Sequence, residues 1–226
     1  MLSSLWLDAK RWWWMRKDVR DPLRAVLDAG PPAARTSIAA ATIIAVDLEL
    51  TGLNPRTDQI VSIGWVPIAG GRVRLQRARR TLVQIDGSVA ASATVHGIVD
   101  ASLRGAQPLL DALGPLLQDA KNAVLLAHHA SVEQRFLSAA CHRHFGAPLL
   151  VPFIDTVALG RRLLERGTRA VPDDALRLSA LRARFGLPAY PAHDALTDAV
   201  ATAELFLAQC TRLGDIGDMP LSVVQS

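Results

Sequence analysis

Two acids, Asp47 and Glu49, interrupt an apolar run, Ile43-Ile44-Ala45-Val46, close to what reads as a strand end. Residues i and i+2 of a strand point to one face, so both carboxylates project together. Two like charges side by side are costly unless a cation neutralises them, and hard oxygen donors in that arrangement suit magnesium or manganese. An exposed acid pair at a sheet edge is the plainer account of the same residues. A second cluster is His193-Asp194-Ala195-Leu196-Thr197-Asp198-Ala199. Asp194 reads as a helix N-cap with Thr197 three residues on, which puts Asp198 in the first turn, facing a sheet edge. His193 precedes that helix. Histidine changes charge between about pH 5 and 8, which suits a general base, although His193 and Asp194 could equally do no more than begin the helix. A third stretch, Leu126-Ala-His128-His129 through Glu133 to Phe136-Leu137, puts Glu133 in the first turn of another helix. Alone, Glu133 is an ordinary first-turn acid favoured by the helix dipole.

The elements that must position these groups follow from the hydrophobic pattern. Thr42–Glu49 is β-branched and apolar and reads as a buried strand. Turn chemistry at Gly52, Asn54 and Pro55 leads to a second strand, Gln59–Ile68. Ala69-Gly70-Gly71 reads as a hairpin turn and Arg72–Val83 as a third strand, its arginines either on a solvated face, the favoured reading, or in a patch beside the substrate path. Helices are predicted over Asp100–Asp119, Ser131–Phe145, from Ile154 through Arg162, Leu176–Phe185 and Asp194–Thr211, with short strands at Ala123–Ala127 and Val151–Ile154. Three consecutive strands followed by alternating helices and short strands predict an α/β sandwich with a mixed sheet.

Composition narrows the class. The chain has 226 residues, half of them hydrophobic and 20 % charged, which excludes whole-chain disorder. Stretches free of Asp, Glu, Lys and Arg fall well short of the about 20 apolar residues that a spanning helix needs. Two cysteines, Cys141 and Cys210, cannot build a disulfide framework or a Cys-rich zinc site. No signal peptide is visible, and the expected compartment is the cytoplasm. The net charge of +4 is misleading as a guide to partners, because seven basic against four acidic residues put +3 of it in residues 1–40. Those forty residues also hold Trp6, Trp12, Trp13 and Trp14, four of the five tryptophans, interleaved with cations. The run Lys10–Lys17 is suited to stacking on bases, to lying on a membrane surface, to docking a partner or to covering the back of the domain. The expected division is a helical, Trp/Arg-rich extension over 1–40, a main domain over 41–213 and a tail over 214–226.

Taken together, the three stretches resemble the DEDDh 3′–5′ exonucleases, the family of the DNA polymerase III epsilon subunit and ribonuclease T. The first motif stands as Val46-Asp47-Leu48-Glu49-Leu50-Thr51-Gly52-Leu53-Asn54-Pro55, followed by Asp58-Gln59-Ile60 and Ile63-Gly64. The second is His128–Leu137 and the third His193–Ala199, with Thr94-Val-His96-Gly97-Ile98 and Asp155-Thr156 as landmarks between them. The resemblance spans about residues 41–210.

It implies a ribonuclease H-like three-layer sandwich with a mixed central sheet, and a pair of divalent cations, Mg²⁺ or Mn²⁺. Asp47, Glu49 and Asp198 would be the main ligands, with Glu133 assisting, and His193 would deprotonate the attacking water. Leu50, Thr51, Gly52, His96 and His128 would receive the 3′-terminal nucleotide. The implied partner is a nucleic acid with a 3′ end, DNA favoured, with roles in proofreading or repair. RNA trimming and a module that has lost its chemistry are the alternatives. A DNA polymerase or another protein could dock on residues 1–40, and the oligomeric state is left open, a homodimer included. Two positions depart from the pattern: Glu133 stands where Asp is usual, and His129 where Asn is usual. The extra methylene shifts a carboxylate by about 1.5 Å while keeping its charge, which predicts an altered rate or metal preference.

Overall fold

The computed structural model describes residues 2–86, 105–165 and 171–225. Six strands form one mixed sheet: β1 (Thr42–Leu50), β2 (Ile60–Ala69), β3 (Arg72–Val73), β4 (Arg79–Leu82), β5 (Ala123–Ala127) and β6 (Phe153–Asp155). Their order is β3-β2-β1-β5-β6, with β4 also on the outer side of β2. β1 runs antiparallel to β2 and parallel to β5, and β5 is parallel to β6. The helices are α1 (Leu2–Trp14), α2 (Leu23–Ala29), α3 (Leu109–Asp119), α4 (Ser131–Phe145), α5 (Thr156–Leu164), α6 (Leu178–Arg184) and α7 (Ala195–Cys210). No helix among the described residues is long and apolar enough to cross a membrane.

The period-2 pattern of β1 divides the molecule into layers. Ile44, Val46, Leu48 and Leu50 enter a core with Leu113 and Leu116 of α3 and Phe136, Leu137 and Phe145 of α4. Ile43 and Ala45 enter a second core on the opposite face, with Ala203 and Phe206 of α7. β5 divides the same way, Leu125 to the first core and Val124 and Leu126 to the second. Helices therefore cover both sheet faces, the three-layer arrangement expected for nearly continuous apolar strands.

The flanking segments are built into these cores. Val19, Leu23, Val26 and Leu27 belong to the first, alongside the fully buried Trp65, and Ile38, Met219, Leu221 and Val224 to the second. Ser37 bridges to Pro220, and the Ile38 N–H donates to the Met219 carbonyl at 2.9 Å. Cys141 and Cys210 are free and buried, and burial pushes each thiol up to about 12.

The third predicted strand is interrupted. β3 and β4 both pair with β2, but a 3₁₀ turn, Leu75–Arg77, loops out between them. The Pro67 carbonyl faces this side, accepting from the Arg74 N–H at 2.8 Å. The amide at Pro67 would point the same way, and proline has none to offer a continuous neighbour. The helix predicted from Asp100 begins, among described residues, only at Leu109, after Pro108. Gln107 instead stays extended and bridges to Val83, as the residue before a proline prefers. The helix predicted over Leu176–Phe185 is a 3₁₀ turn, Asp173–Leu176, then an extended Arg177, then α6.

Candidate active site

The parity of β1 decides which layer receives the acids. Asp47 and Glu49 continue the odd-numbered face that Ile43 and Ala45 turn toward α7. A register shift between Glu49 and Leu50 ends the regular pairing at that point, a bulge of the kind that re-aims side chains at strand ends. Gly64 of β2 stands opposite Asp47, and a Cβ there would collide with the backbone of Ala195 and Leu196. The absent side chain lets the first turn of α7 lie directly on the sheet. One turn on, Asp198 faces the two acids, and single carboxylate oxygens of Asp47, Glu49 and Asp198 all lie within 4.8 Å of one another.

The segment leading into α7 is fixed from three sides. Asp194 caps the helix by accepting from the Thr197 N–H and hydroxyl, both at 2.9 Å. Arg80 on β4, while still exposed, also donates to Asp194, which brings this arginine of the Arg72–Arg80 run to the edge of the candidate site. His193 takes the left-handed conformation, φ 68°, and its N–H donates to Asp198 Oδ2 at 2.9 Å. Its exposed imidazole stands at the rim of a cleft of about 510 Å³ that also contains Asp47, Asp198 and His128. Arg177, Leu178 and Tyr190 line the cleft's far wall.

Glu133 enters from the other layer. It is buried in the first turn of α4, and its charge is the foremost of those acting on Asp47, yet it stands outside the group of three. Its Oε2 is buried with no hydrogen-bond partner. Asp155, which sequence reading marked only as a landmark, holds this corner together. Its carboxylate accepts from the N–H groups of Val157 (2.8 Å), His129 (3.1 Å) and Ala130 (3.2 Å), capping α5 and fixing the approach to α4. His128 Nδ1 lies 2.8 Å from the Thr156 hydroxyl. Burial, reinforced by His129 and opposed by Asp155 and a backbone bond to Leu176, lowers His128 to about 4, so its ring is neutral at physiological pH.

The candidate substrate loop is closed on itself. The Thr51 N–H donates to the Gln59 carbonyl at 3.0 Å and the Thr51 hydroxyl accepts from the Gln59 N–H at 2.9 Å. The Asp58 carboxylate fills the space beside Gly52 and accepts from the Asn54 N–H at 2.7 Å. Leu50 points into the first core, Thr51 and Gly52 are half-buried, and Leu53 is exposed. His96 and its neighbours lie outside the described residues.

The electrostatics favour a cation. Burial first, then the charges of Glu133, Asp198, Glu49 and Asp194, hold the Asp47 carboxyl well above the usual carboxylate range. Burial followed by Asp198 and Asp194 raises Glu49 to about 7, and burial with a contribution from Asp155 raises Glu133 to about 8. Burial raises Asp198 as well, against the bond from the His193 N–H. Burial would also raise Asp194, but Thr197 and Arg80 outweigh it and hold this carboxylate low. Converging hard oxygen donors that repel one another fit a divalent cation such as Mg²⁺ or Mn²⁺.

An exonuclease family model, that of the RNase T type, matches residues 44–206, which include all three stretches. The chain belongs to this exonuclease family. Among curated relatives, a PolC-type DNA polymerase III of Thermotoga petrophila is 29 % identical over 187 residues, 82 % of this chain and 13 % of its own length. A DNA polymerase III subunit epsilon-like protein of Rhodobacter capsulatus is 34 % identical over 181 residues, 77 % of this chain and 24 % of its own. The chain thus spans under a third of the length of these relatives. Among solved structures, Exonuclease X in complex with 5′ overhanging duplex DNA superposes with a TM-score of 0.55 at 23 % identity, covering 79 % of this chain and 97 % of that one. The nuclease domain of 3′hExo, a DEDDh family member bound to rAMP, gives 0.64 at 16 % identity, covering 78 % and 94 %. These likenesses establish the ribonuclease H-like fold of this exonuclease.

Proposed function

We propose that this exonuclease removes mononucleotides from the 3′ end of a nucleic acid, DNA in preference to RNA, with two divalent cations bound at the three-acid group. The observation that carries the reading is the convergence of Asp47, Glu49 and Asp198 beneath a cleft with His193 at its rim. Asp47, Glu49 and Asp198 would hold the cations, and Glu133 would assist Asp47 from the opposite layer. When bound, Mg²⁺ or Mn²⁺ supplies charge stabilisation for the attacking and leaving oxygens of an in-line displacement. His193, held by its own backbone bond to Asp198, would take the proton of the attacking water at its exposed ring. Thr51 and Gly52 would receive the terminal nucleotide, with Leu53 as an exposed apolar contact and His128 as a neutral, hydrogen-bonded wall. The names of the PolC-type and epsilon-like relatives, and the DNA held by Exonuclease X, support DNA and an association with a polymerase. The rAMP on 3′hExo favours the second reading, trimming of RNA 3′ ends.

The deciding experiment offers 5′-labelled single-stranded DNA, single-stranded RNA and a 3′-mismatched duplex with Mg²⁺ or Mn²⁺. Stepwise shortening from the 3′ end, stopped by EDTA and by Asp47→Ala, is expected, with DNA consumed faster. Cleavage that survives EDTA, or shortening from the 5′ end, would overturn the reading.

A further inference from the structure

The tryptophans of the N-terminal segment do not share one fate. Trp14, with Leu7 and Met15, packs on the first core, and its ring meets His142 of α4 edge-on at 5.6 Å. Arg11 donates to the Leu27 carbonyl at 3.2 Å and lies across Gly30, so α1 is held to the body along one side. Beyond that side Trp6, Trp12 and Trp13 are 59, 60 and 48 % exposed, Trp6 and Trp13 bordering a groove with Trp14 and Pro148. Each carries a cation over its ring: Lys10 at 3.5 Å on Trp6, Arg16 at 3.3 Å on Trp12 and Lys17 at 4.6 Å on Trp13. Trp6, Lys10 and Trp13 follow one another at i, i+4 and i+7 on α1, and Lys17, just past the helix end, lies back over Trp13.

We propose that this face of α1 docks the single-stranded, 5′-ward part of a nucleic acid whose 3′ end lies in the active site; the substrate class rests on the exonuclease reading. A cation lies over each ring while the indoles stay exposed, Trp13 with its ring also against Trp14, so each offers area on which a base can stack, and the same cation stands where a phosphate would pass. Lys10, Arg16 and Lys17 give the surface the positive charge that such a strand requires. A bilayer suits it less. Leu7 and Met15 turn inward, and an indole capped by a cation would have to carry that charge into hydrocarbon. The position is also apt. Glu133 and His142 stand nine residues apart on α4, about 14 Å along its axis, and Trp14 of α1 meets His142 at the far end. A cleft of about 230 Å³ between the 51–59 loop and α4, acidic at Asp58 and Asp86, ends at Arg143 and His144 beside His142.

The test separates docking from catalysis. Binding of a labelled oligothymidylate long enough to reach α1 is followed by anisotropy in EDTA. Hydrolysis of the p-nitrophenyl ester of thymidine 5′-monophosphate, too short to reach it, is followed with Mn²⁺. The triple variant Trp6→Ala/Trp12→Ala/Trp13→Ala is expected to bind the oligonucleotide at least about tenfold more weakly and to hydrolyse the ester at the wild-type rate. Lys10→Glu/Arg16→Glu/Lys17→Glu, which keeps the indoles, should reduce the salt slope of binding by about 2, at roughly 0.7 per phosphate contact. Unchanged affinity in the first variant, or an unchanged slope in the second, overturns the proposal. So does variant-sensitive binding to phosphatidylserine vesicles with oligonucleotide binding intact, which would assign the face to a membrane. If the wild type leaves the ester uncleaved while the variants still lose the oligonucleotide, the catalytic reading falls and the docking surface stands.

Discussion

Gly64 lies directly across the β1–β2 ladder from Asp47, and the start of α7 rests in the space its missing side chain leaves. The distance from Asp198 to the β1 acids is therefore set by a residue with no chemistry of its own. Gly64→Ala should push α7 off the sheet, costing about 1–3 kcal/mol of stability and at least tenfold in turnover. Urea unfolding and oligonucleotide hydrolysis measure the two effects. Wild-type values for both would mean that the helix approach does not govern the site.

The raised carboxyls make stability and metal binding depend on pH in a defined direction. Glu49 is held at about 7 and Glu133 at about 8, against 4.5 for each ordinarily, so the metal-free fold binds their protons more tightly than the unfolded chain. Its stability should fall as pH rises through that range. His128, lowered from 6.5 to about 4, works the other way below its ordinary value, which leaves about pH 6.5–8 as the clean window. Thermal unfolding in EDTA should show a falling Tm there, and the increment from Mg²⁺ or Mn²⁺ should grow with pH. Asp47→Asn should raise the metal-free Tm and abolish that increment. A Tm that climbs with pH in EDTA contradicts this account.

Glu133 has spare length. One of its oxygens is buried without a partner, and it stands outside the three-acid group. Glu133→Asp, which keeps the charge, should hold or raise activity, whereas Glu133→Gln should lower it. Destruction of activity by the aspartate would mean that the corner is built around the longer side chain.

Asp155 is the strongest non-catalytic prediction. Three backbone N–H groups converge on it, so Asp155→Ala strands donors at the starts of two helices. A loss of about 2–4 kcal/mol in urea unfolding is expected. A loss under about 0.5 kcal/mol would show that water replaces the carboxylate without consequence.

What could be read in advance divides along physical lines. Asp47 and Glu49 were legible because strand alternation is local and two acids break an apolar run. Asp194 was legible because a helix cap is written within four residues, and it bonds Thr197 as expected. Gly64 follows the first motif with no role legible in sequence, since its purpose appears only when another element lies on it. Arg80 and Asp155 likewise act through partners 114 and about 25 residues away. The break in the third strand had a signal, Pro67, but in the neighbouring strand. The late start of α3 had one in its own segment, Pro108, which the apolar periodicity around it outweighed.

The family match begins at residue 44 and stops at 206, yet Leu23 and Leu27 lie in one core and Leu221 in the other, all fully buried. The stretch matched by the family model is smaller than what must fold. A fragment cut to the matched limits would retain every acid discussed above and still leave two apolar seams open to water. Transplanting this nuclease into another protein therefore means carrying its flanks as part of the enzyme.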